Sequence, residues 1–489
     1  MNIKKVVRQA TVLTFATTIL VGGGFQASAK EKDSRDFKEK YGISHITRHD
    51  MHKLPEQQKS EQFKVPQFDG SKIENIPSAK GLDVWDTWPL QNADGTVAEY
   101  KGYHLVFGLA GNPEDANDTS VYLFYKKADE TSLDSWKNAG RVFDDSEQFV
   151  PNDPHLKDET QEWSGSATLT SDGEVRLFYT SFSGKNYGKQ TLTTAQVNVS
   201  QPDADSIKIE GVEDYKSIFD ADGKKYQHVQ QFIDGGAYNS GDNHTFRDPH
   251  YVEDKGRKYL VFEANTGTET GYQGEESLFN RAYYGGSKKF FEAEKNKLLQ
   301  SPQKEKAELA NGAIGIVELN DDYTLKKVMK PLLASNTVTD EIERANVFKM
   351  DGKWYLFTSA RGSKMTIDGI TDKDIYMLGY VSNSLTGKYK PLNDTGLVLH
   401  HNLDPNDVTW NYAHYITPTK SKDNNVVVTS YMTNRGFFED HKTTFAPSFL
   451  LNIEGSETSV VEDSILEQGQ LTVKDDDKGR DKDRKNDDD

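Results

Sequence analysis

The feature that most constrains this chain is a recurrence. Four times a polar or acidic residue stands eight or nine positions before a turn glycine, and an aromatic strand follows the turn. Asp86 precedes Gly95 and the run Tyr103 to Phe107, and Ser164 precedes Gly173 and Leu177 to Tyr179. Asp248 precedes Gly256 and Tyr259 to Phe262, and Glu343 precedes Gly352 and Trp354 to Phe357. The marked positions lie 78, 84 and 95 residues apart, room in each unit for a four-stranded antiparallel sheet with decorated loops, and a fifth unit fits between about Leu403 and Ile453. Radial repetition of such sheets predicts an all-β, five-bladed β-propeller whose first strands line a central funnel. Three carboxylates spread over more than 250 positions then meet in one pocket. A β-sandwich leaves their common position unexplained. A WD40 assignment fails because Trp85-Asp86 occurs once and the period is about double the ~40–45 residues that repeat requires.

The ends of the chain read differently. Lys4, Lys5 and Arg8 precede an apolar stretch from Ala10 to Val21 and the small residues Ala27-Ser28-Ala29, which predicts a secretory signal over residues 1–29. That stretch falls short of the ~20 apolar residues a bilayer span needs, so no membrane association is expected once it is removed. Residues 30–75 form a polar N-terminal extension with helical character at Ser34–Lys40 and His45–Lys53. His45, His49 and His52 would share a helix face there, but no carboxylate is patterned with them as a metal site would require. The catalytic propeller is expected over residues 76–473, with a helical insertion at Lys288 to Gln300 and a long loop from Tyr215 to Thr245. Residues 474–489 alternate Lys and Arg with Asp, contain nothing apolar after Lys474, and are expected to be a disordered tail.

Composition excludes several chemistries. The chain has no cysteine, so thiol nucleophiles, disulfides and cysteine-bound zinc are ruled out. A formal charge of −18 argues against a nucleic-acid partner. An exported monomer acting on small polar substrates is the expectation, with 23 Tyr, 24 Phe and 6 Trp supplying faces that both fill strands and stack on sugar rings.

A set of converging carboxylates points first to glycoside chemistry, which needs an acid at the leaving oxygen and, for retention, a second carboxylate that attacks the anomeric carbon. Asp86 lies between Trp85 and Trp88 and suits the nucleophile. Glu343 ends the cluster Asp340-Glu341-Ile342-Glu343, where crowding of like charges disfavours simultaneous ionisation and favours a retained proton. Asp248, in Arg247-Asp248-Pro249, sits beside a cation that would keep it ionised for stabilising positive charge in the transition state.

Val84-Trp85-Asp86, Glu162-Trp163-Ser164-Gly165-Ser166-Ala167, Arg247-Asp248-Pro249 and Asp340-Glu341-Ile342-Glu343-Arg344-Ala345-Asn346 resemble, in order and interval, the motifs of the levansucrases, the fructosyltransferases of glycoside hydrolase family 68. The resemblance runs from about Tyr41 to Val473. It implies a five-bladed propeller that cleaves sucrose with net retention through a fructosyl-enzyme intermediate. Asp86 would be the nucleophile, Glu343 the proton donor and acceptor, and Asp248 the transition-state stabiliser. Substrate contacts would come from Trp85, Trp163, Ser164, Arg247, Glu341 and Arg361, with Tyr412 and Glu263 close by. The acceptor would be sucrose, a growing β-2,6-fructan (levan) or water. An inulin-forming enzyme, a sucrose hydrolase and a non-catalytic polysaccharide-binding propeller are the alternatives. The resemblance also implies a structural Ca2+ held by Asp242, Gln273, the Leu309 carbonyl, Asn311 and Asp340, all oxygen donors of the kind a hard cation takes. No organic cofactor is implied.

Overall fold

The structure, a computed structural model, describes residues 42–473 apart from residues 116, 144–152, 237–241, 403–409, 420–422 and 435–442. The expected signal segment, the helix at Ser34–Lys40 and the charged tail lie outside the described residues.

Five antiparallel units follow one another along the chain. Blade 1 comprises Asp83–Gln91, Tyr103–Gly111, Ser120–Lys127 and Lys137–Arg141, and blade 2 comprises Gln161–Leu169, Val175–Ser183, Lys189–Asp203 and Ser206–Phe219. Blade 3 is built on Phe246–Asp254, Arg257–Asn265 and Gly312–Leu319, edged by Leu325–Val328 and Leu333–Ala334. Blade 4 contains Glu343–Met350, Lys353–Arg361, Asp374–Ser382 and Leu397–Asn402, and blade 5 contains Trp410–Pro418, Asn425–Asn434, Phe449–Glu454 and Glu457–Val460. The molecule is a five-bladed β-propeller. Its first strands pack side by side around the axis, and those of blades 1 and 2 pair directly in parallel through Leu90–Ala167 and Gln91–Thr168.

The apolar residues explain the assembly. Each blade buries both faces, so its strands read as near-continuous apolar runs, and a separate core fills every gap between neighbours. Trp88, Phe107 and Leu177 pack between blades 1 and 2, Phe178, Phe246 and Phe262 between 2 and 3, and Val261, Val347 and Leu356 between 3 and 4. Phe357, Ile416 and Phe449 fill the next gap, and Val84, Phe124 and Phe445 close the circle. Closure is reinforced where the Val84 N–H donates to the Thr443 carbonyl (2.9 Å) and the Thr443 N–H to Asp83 Oδ1 (2.8 Å).

Two expectations are corrected. His45 is not helical: Ser44–His45 forms a short parallel strand on Leu333–Ala334, a long-range pairing that local periodicity cannot reveal. The helical turns are Arg48–Met51 and Leu54–Gln57, and His49 and His52 pack on Phe290 of the helix Lys288–Leu299, with ring centroids 5.0 and 5.2 Å away. The expected loop from Tyr215 to Thr245 begins inside the last strand of blade 2 and includes the helix Val229–Asp234.

Candidate active site

Every first strand carries the same irregularity. Pairing with the second strand skips two residues between Trp85 and Trp88, Trp163 and Ser166, Arg247 and His250, Glu343 and Asn346, and Tyr412 and Tyr415. A bulge bends a strand and re-aims its side chains, and here it does so five times at the axis. Two sets of residues are thereby placed in register. Trp85, Trp163, Arg247, Glu343 and Tyr412 precede the bulges, and Asp86, Ser164, Asp248, Arg344 and Ala413 open them. Glu343 therefore belongs one position earlier than the sequence recurrence places it, and Arg344 stands in register with the two aspartates. Four of the opening residues adopt left-handed backbone: Asp86 (φ 41°), Asp248 (φ 58°), Arg344 (φ 58°) and Ala413 (φ 53°). Aspartate tolerates this region better than most residues, whereas arginine and alanine hold it only because the fold over-determines them.

The opening residues are linked by a circuit of hydrogen bonds. Ser164 Oγ donates to Asp86 Oδ2 (2.6 Å). The Ser164 carbonyl accepts from Thr180 Oγ1 (3.2 Å), which itself accepts from the Asp248 N–H (2.9 Å). Asp248 Oδ2 accepts from the Arg344 N–H (3.0 Å), and Arg344 Nη2 donates to the Thr87 carbonyl (2.9 Å), beside Asp86. Asp86, Ser164, Asp248 and Arg344, with Trp85, Leu109, Thr119, Gln161, Trp163, Arg247 and Glu343, line a cavity of about 330 Å³. Below it, Tyr415 donates to Gln91 Oε1 (2.7 Å) and meets His250 Nδ1 (3.0 Å). Burial pushes His250 down to about 4, so this polar plug carries no charge near neutrality.

One wall is a tight charge network. Arg247 donates from Nε to Glu263 Oε2 (2.7 Å) and from Nη2 to Glu341 Oε2 (3.2 Å) and Glu343 Oε1 (2.9 Å). Arg361 reaches both Glu343 oxygens (3.4 Å each) and donates from Nε to the Tyr412 hydroxyl (2.9 Å), while Tyr412 donates to Glu343 Oε2. Asn243 Nδ2 donates to Glu341 Oε2 (2.9 Å). Trp163 stacks on Phe182 with ring centroids 4.1 Å apart, and the Arg247 guanidinium lies 5.8 Å from its ring centre.

Five carboxyl groups, Asp86, Asp248, Glu263, Glu341 and Glu343, thus face the guanidinium groups of Arg247, Arg344 and Arg361. Too few cations are present to hold every acid ionised in a buried setting. Burial, reinforced by Glu341, pushes Glu343 up to about 8 against the pull of Arg361 and Arg247. Glu263, fully buried, is driven well above the carboxylate range by burial. At Glu341 burial also opposes ionisation, but Arg247, Arg361 and Lys364 together outweigh it and the group is lowered. Asp248 corrects the reading from its neighbour: burial exceeds the pull of Arg247 and Arg344, and the net shift is upward.

The oxygen donors proposed for a cation also converge. Gln273 Nε2 donates to Asp242 Oδ2 (2.9 Å), which leaves Gln273 Oε1 buried without a partner. Asn265 Nδ2 donates to Asn311 Oδ1 (2.9 Å) and to Asp340 Oδ1 (3.1 Å). The Gly274 N–H donates to the Glu308 carbonyl (2.8 Å), tying the Gln273 loop to the end of the helix Lys304–Leu309. Burial raises Asp242 and Asp340, and Asp242 raises Asp340 further. Among the described residues no group of three or more His, Cys, Asp or Glu is placed to hold a metal. This set instead offers two carboxylates, two amide oxygens and a main-chain carbonyl. An orphaned amide oxygen beside two mutually repelling acids fits a hard divalent cation.

The structure brings Trp85, Asp86, Trp163, Ser164, Arg247, Asp248, Glu263, Glu341, Glu343, Arg361 and Tyr412 together. Reasoning from sequence missed Thr180, Asn243 and Arg344. Arg344 had a signal, since it adjoins Glu343 in a quoted motif; Thr180, on a second strand, had none.

Comparison with known proteins gives the same answer. The levansucrase/invertase profile of glycoside hydrolase family 68 matches residues 37–472. The chain is 75% identical over 473 residues to the levansucrase of Bacillus subtilis strain 168, covering 97% of this chain and 100% of that one. It is 73% identical over 473 residues to an inactive levansucrase of Geobacillus stearothermophilus, with 97% and 100% covered. A crystal structure of a levansucrase complexed with sucrose matches with a TM-score of 0.86 at 76% identity, covering 88% of this chain and 98% of that one. Because an inactive relative is nearly as similar as an active one, membership and the details of activity are separate questions. On membership, five bladed repeats, three carboxylates at their bulges and a match over most of its length agree: the chain belongs to the levansucrase/invertase family, glycoside hydrolase family 68.

Proposed function

We propose that the protein is an exported, monomeric fructosyltransferase that takes the fructosyl group of sucrose and passes it to a growing β-2,6-fructan, with hydrolysis as a side reaction. The observation that carries this reading is that Asp86, fixed by Ser164, and Glu343, whose carboxyl is pushed up to about 8 by burial and Glu341, line one cavity of about 330 Å³. In the first step an Asp86 oxygen attacks C2 of the fructosyl unit. The C2–O bond to glucose breaks, its electron pair goes to the glucosyl oxygen, and Glu343 protonates that oxygen. In the second step Glu343, now a carboxylate, takes the proton of an acceptor hydroxyl whose oxygen bonds to C2, and Asp86 leaves as carboxylate. Two displacements return the original configuration. Asp248, held by the Arg344 N–H, places a carboxyl against the positive charge that develops between them. Arg247, Arg361 and Tyr412 orient Glu343, while Trp163 offers a stacking face.

Incubation of the purified protein with sucrose, followed by linkage analysis, tests this. Free glucose in excess over fructose, with β-2,6 linkages in the polymer, is expected. Equal glucose and fructose would make it a hydrolase, β-2,1 linkages an inulin-forming enzyme, and no turnover a binding propeller.

The protonated form of Glu343 is the one that begins the reaction, so kcat/KM for sucrose is expected to fall as pH rises through about 8. A profile flat from pH 6 to 10 would remove Glu343 from the role of acid.

The cation set motivates a second expectation. Ca2+ bound by Asp242, Gln273, the Leu309 carbonyl, Asn311 and Asp340 would neutralise two crowded acids and tie together three loops, one of them leading to Glu343. Chelation is expected to lower Tm, and Asp340→Ala to abolish that shift. A melting curve unchanged by chelation would count against the site. Export follows from the signal-like residues 1–29, and among the described residues no helix is long and apolar enough to cross a membrane.

A further inference from the structure

Arg344 occupies an unusual position. Its left-handed backbone (φ 58°) aims its N–H at Asp248 Oδ2 (3.0 Å), while its guanidinium runs beneath blade 1 and donates from Nη2 to the Thr87 carbonyl (2.9 Å). The side chain is only 3% exposed, and its guanidinium carbon lies 5.7 Å from the ring centres of both Trp88 and Tyr415. Nη1 stands 4.0 Å from Asp86 Oδ2, and neither Nη1 nor Nε has a hydrogen-bond partner among the described residues. Buried donors left unpaired are uncommon and unfavourable unless they serve something else. Arginine also cannot escape by losing its proton.

We propose that Arg344 is a positioning residue that fixes both aspartates and, through its charge behind Asp86, governs the second half of the reaction, release of the fructosyl group. This rests on Asp86 being the nucleophile. When Asp86 attacks C2 it exchanges a full negative charge for a neutral ester. On release the C2–O bond breaks, its electron pair returns to the carboxylate, the acceptor oxygen bonds to C2, and the acceptor proton passes to Glu343. A fixed cation near Oδ2 stabilises the carboxylate relative to the ester, and burial of the guanidinium strengthens that preference. Ser164, donating to the same oxygen, acts in the same direction. Arg344 therefore speeds release and keeps the covalent intermediate from accumulating.

The test mixes full-length protein with sucrose, quenches in acid, and follows glucose release together with the mass of the fructosyl ester on Asp86. In the unaltered protein little ester is expected at steady state. Arg344→Gln should release about one equivalent of glucose per enzyme in a burst and then turn over between roughly ten- and a hundredfold more slowly, with the ester as its main form. Arg344→Lys, which keeps the charge, should show no burst. A folded Arg344→Gln that slows both steps equally, or neither, overturns the proposal. If Arg344→Gln loses the native circular dichroism, Arg344→Lys decides: no accumulated ester supports the charge, and an accumulated ester overturns it. Failure to trap any ester on Asp86, even in Glu343→Gln with an activated fructosyl donor, would remove the nucleophile and this proposal with it. Trapped ester with no effect of Arg344→Gln would remove this proposal alone.

Discussion

Asp86→Ala is expected to reduce sucrose turnover by a factor on the order of 10⁴ to 10⁶, with the fold intact. The size follows from what the residue does. As the proposed nucleophile Asp86 would supply the electron pair that forms the bond to C2, and its position is set by Ser164 Oγ at 2.6 Å and by the left-handed backbone (φ 41°) at its bulge. No better leaving group on the donor compensates for a missing nucleophile, so an activated fructosyl donor should react as poorly as sucrose. A small anion such as azide could enter the space left by the carboxylate and attack C2 directly, giving a product of inverted configuration. Glucose release is the first measurement and the configuration of the azide adduct the second. Substantial turnover of an activated donor without added anion would place the nucleophile elsewhere.

Glu343→Ala separates the other half of the chemistry. Loss of a general acid is expected to cost between roughly 10² and 10⁴ in turnover of sucrose, whose glucosyl oxygen cannot leave well without a proton. A fructosyl donor whose leaving group needs no proton should restore the first step. The alkaline fall near pH 8 should vanish with the carboxyl that causes it. The conservative variant Glu343→Gln should behave likewise, since its one amide oxygen still accepts from this cluster of donors but the side chain cannot deliver a proton. Recovery by an activated donor in Asp86→Ala and Glu343→Ala alike would contradict the division of roles. With both variants failing alike, the pH limb alone would identify the acid.

Much of the fold was legible because each blade repeats a local pattern. A turn glycine such as Gly173 or Gly256 needs positive φ (85° and 73°), and the apolar strand after it must be buried on both faces, so both leave marks in sequence. The one-residue offset at Glu343 was not legible. Counting back from Gly352 gives the distance along the chain, whereas the bulge between Glu343 and Asn346 sets which side chain enters the axis, and bulges are fixed by cross-strand pairing. Arg344 stayed hidden for the same reason. Charge balance was out of reach as well: Arg247 is adjacent to Asp248 in sequence, but burial decides the direction of the aspartate's shift, and burial belongs to the assembled propeller. The proposed cation ligands Asp242, Gln273, Leu309, Asn311 and Asp340 have no spacing rule that joins them, and only the family resemblance pointed there.

The five-fold bulge has a consequence for anyone wishing to move this chemistry to another scaffold. Because each first strand presents its axial side chains through one dipeptide, the transplant would consist of five short grafts, Trp85-Asp86, Trp163-Ser164, Arg247-Asp248, Glu343-Arg344 and Tyr412-Ala413, with Thr180, Glu263 and Arg361 to brace them. The recipient need share no surface loop with this chain. It must have five blades whose innermost strands kink at matched heights, so the search for a host is a search for a backbone and not for a sequence.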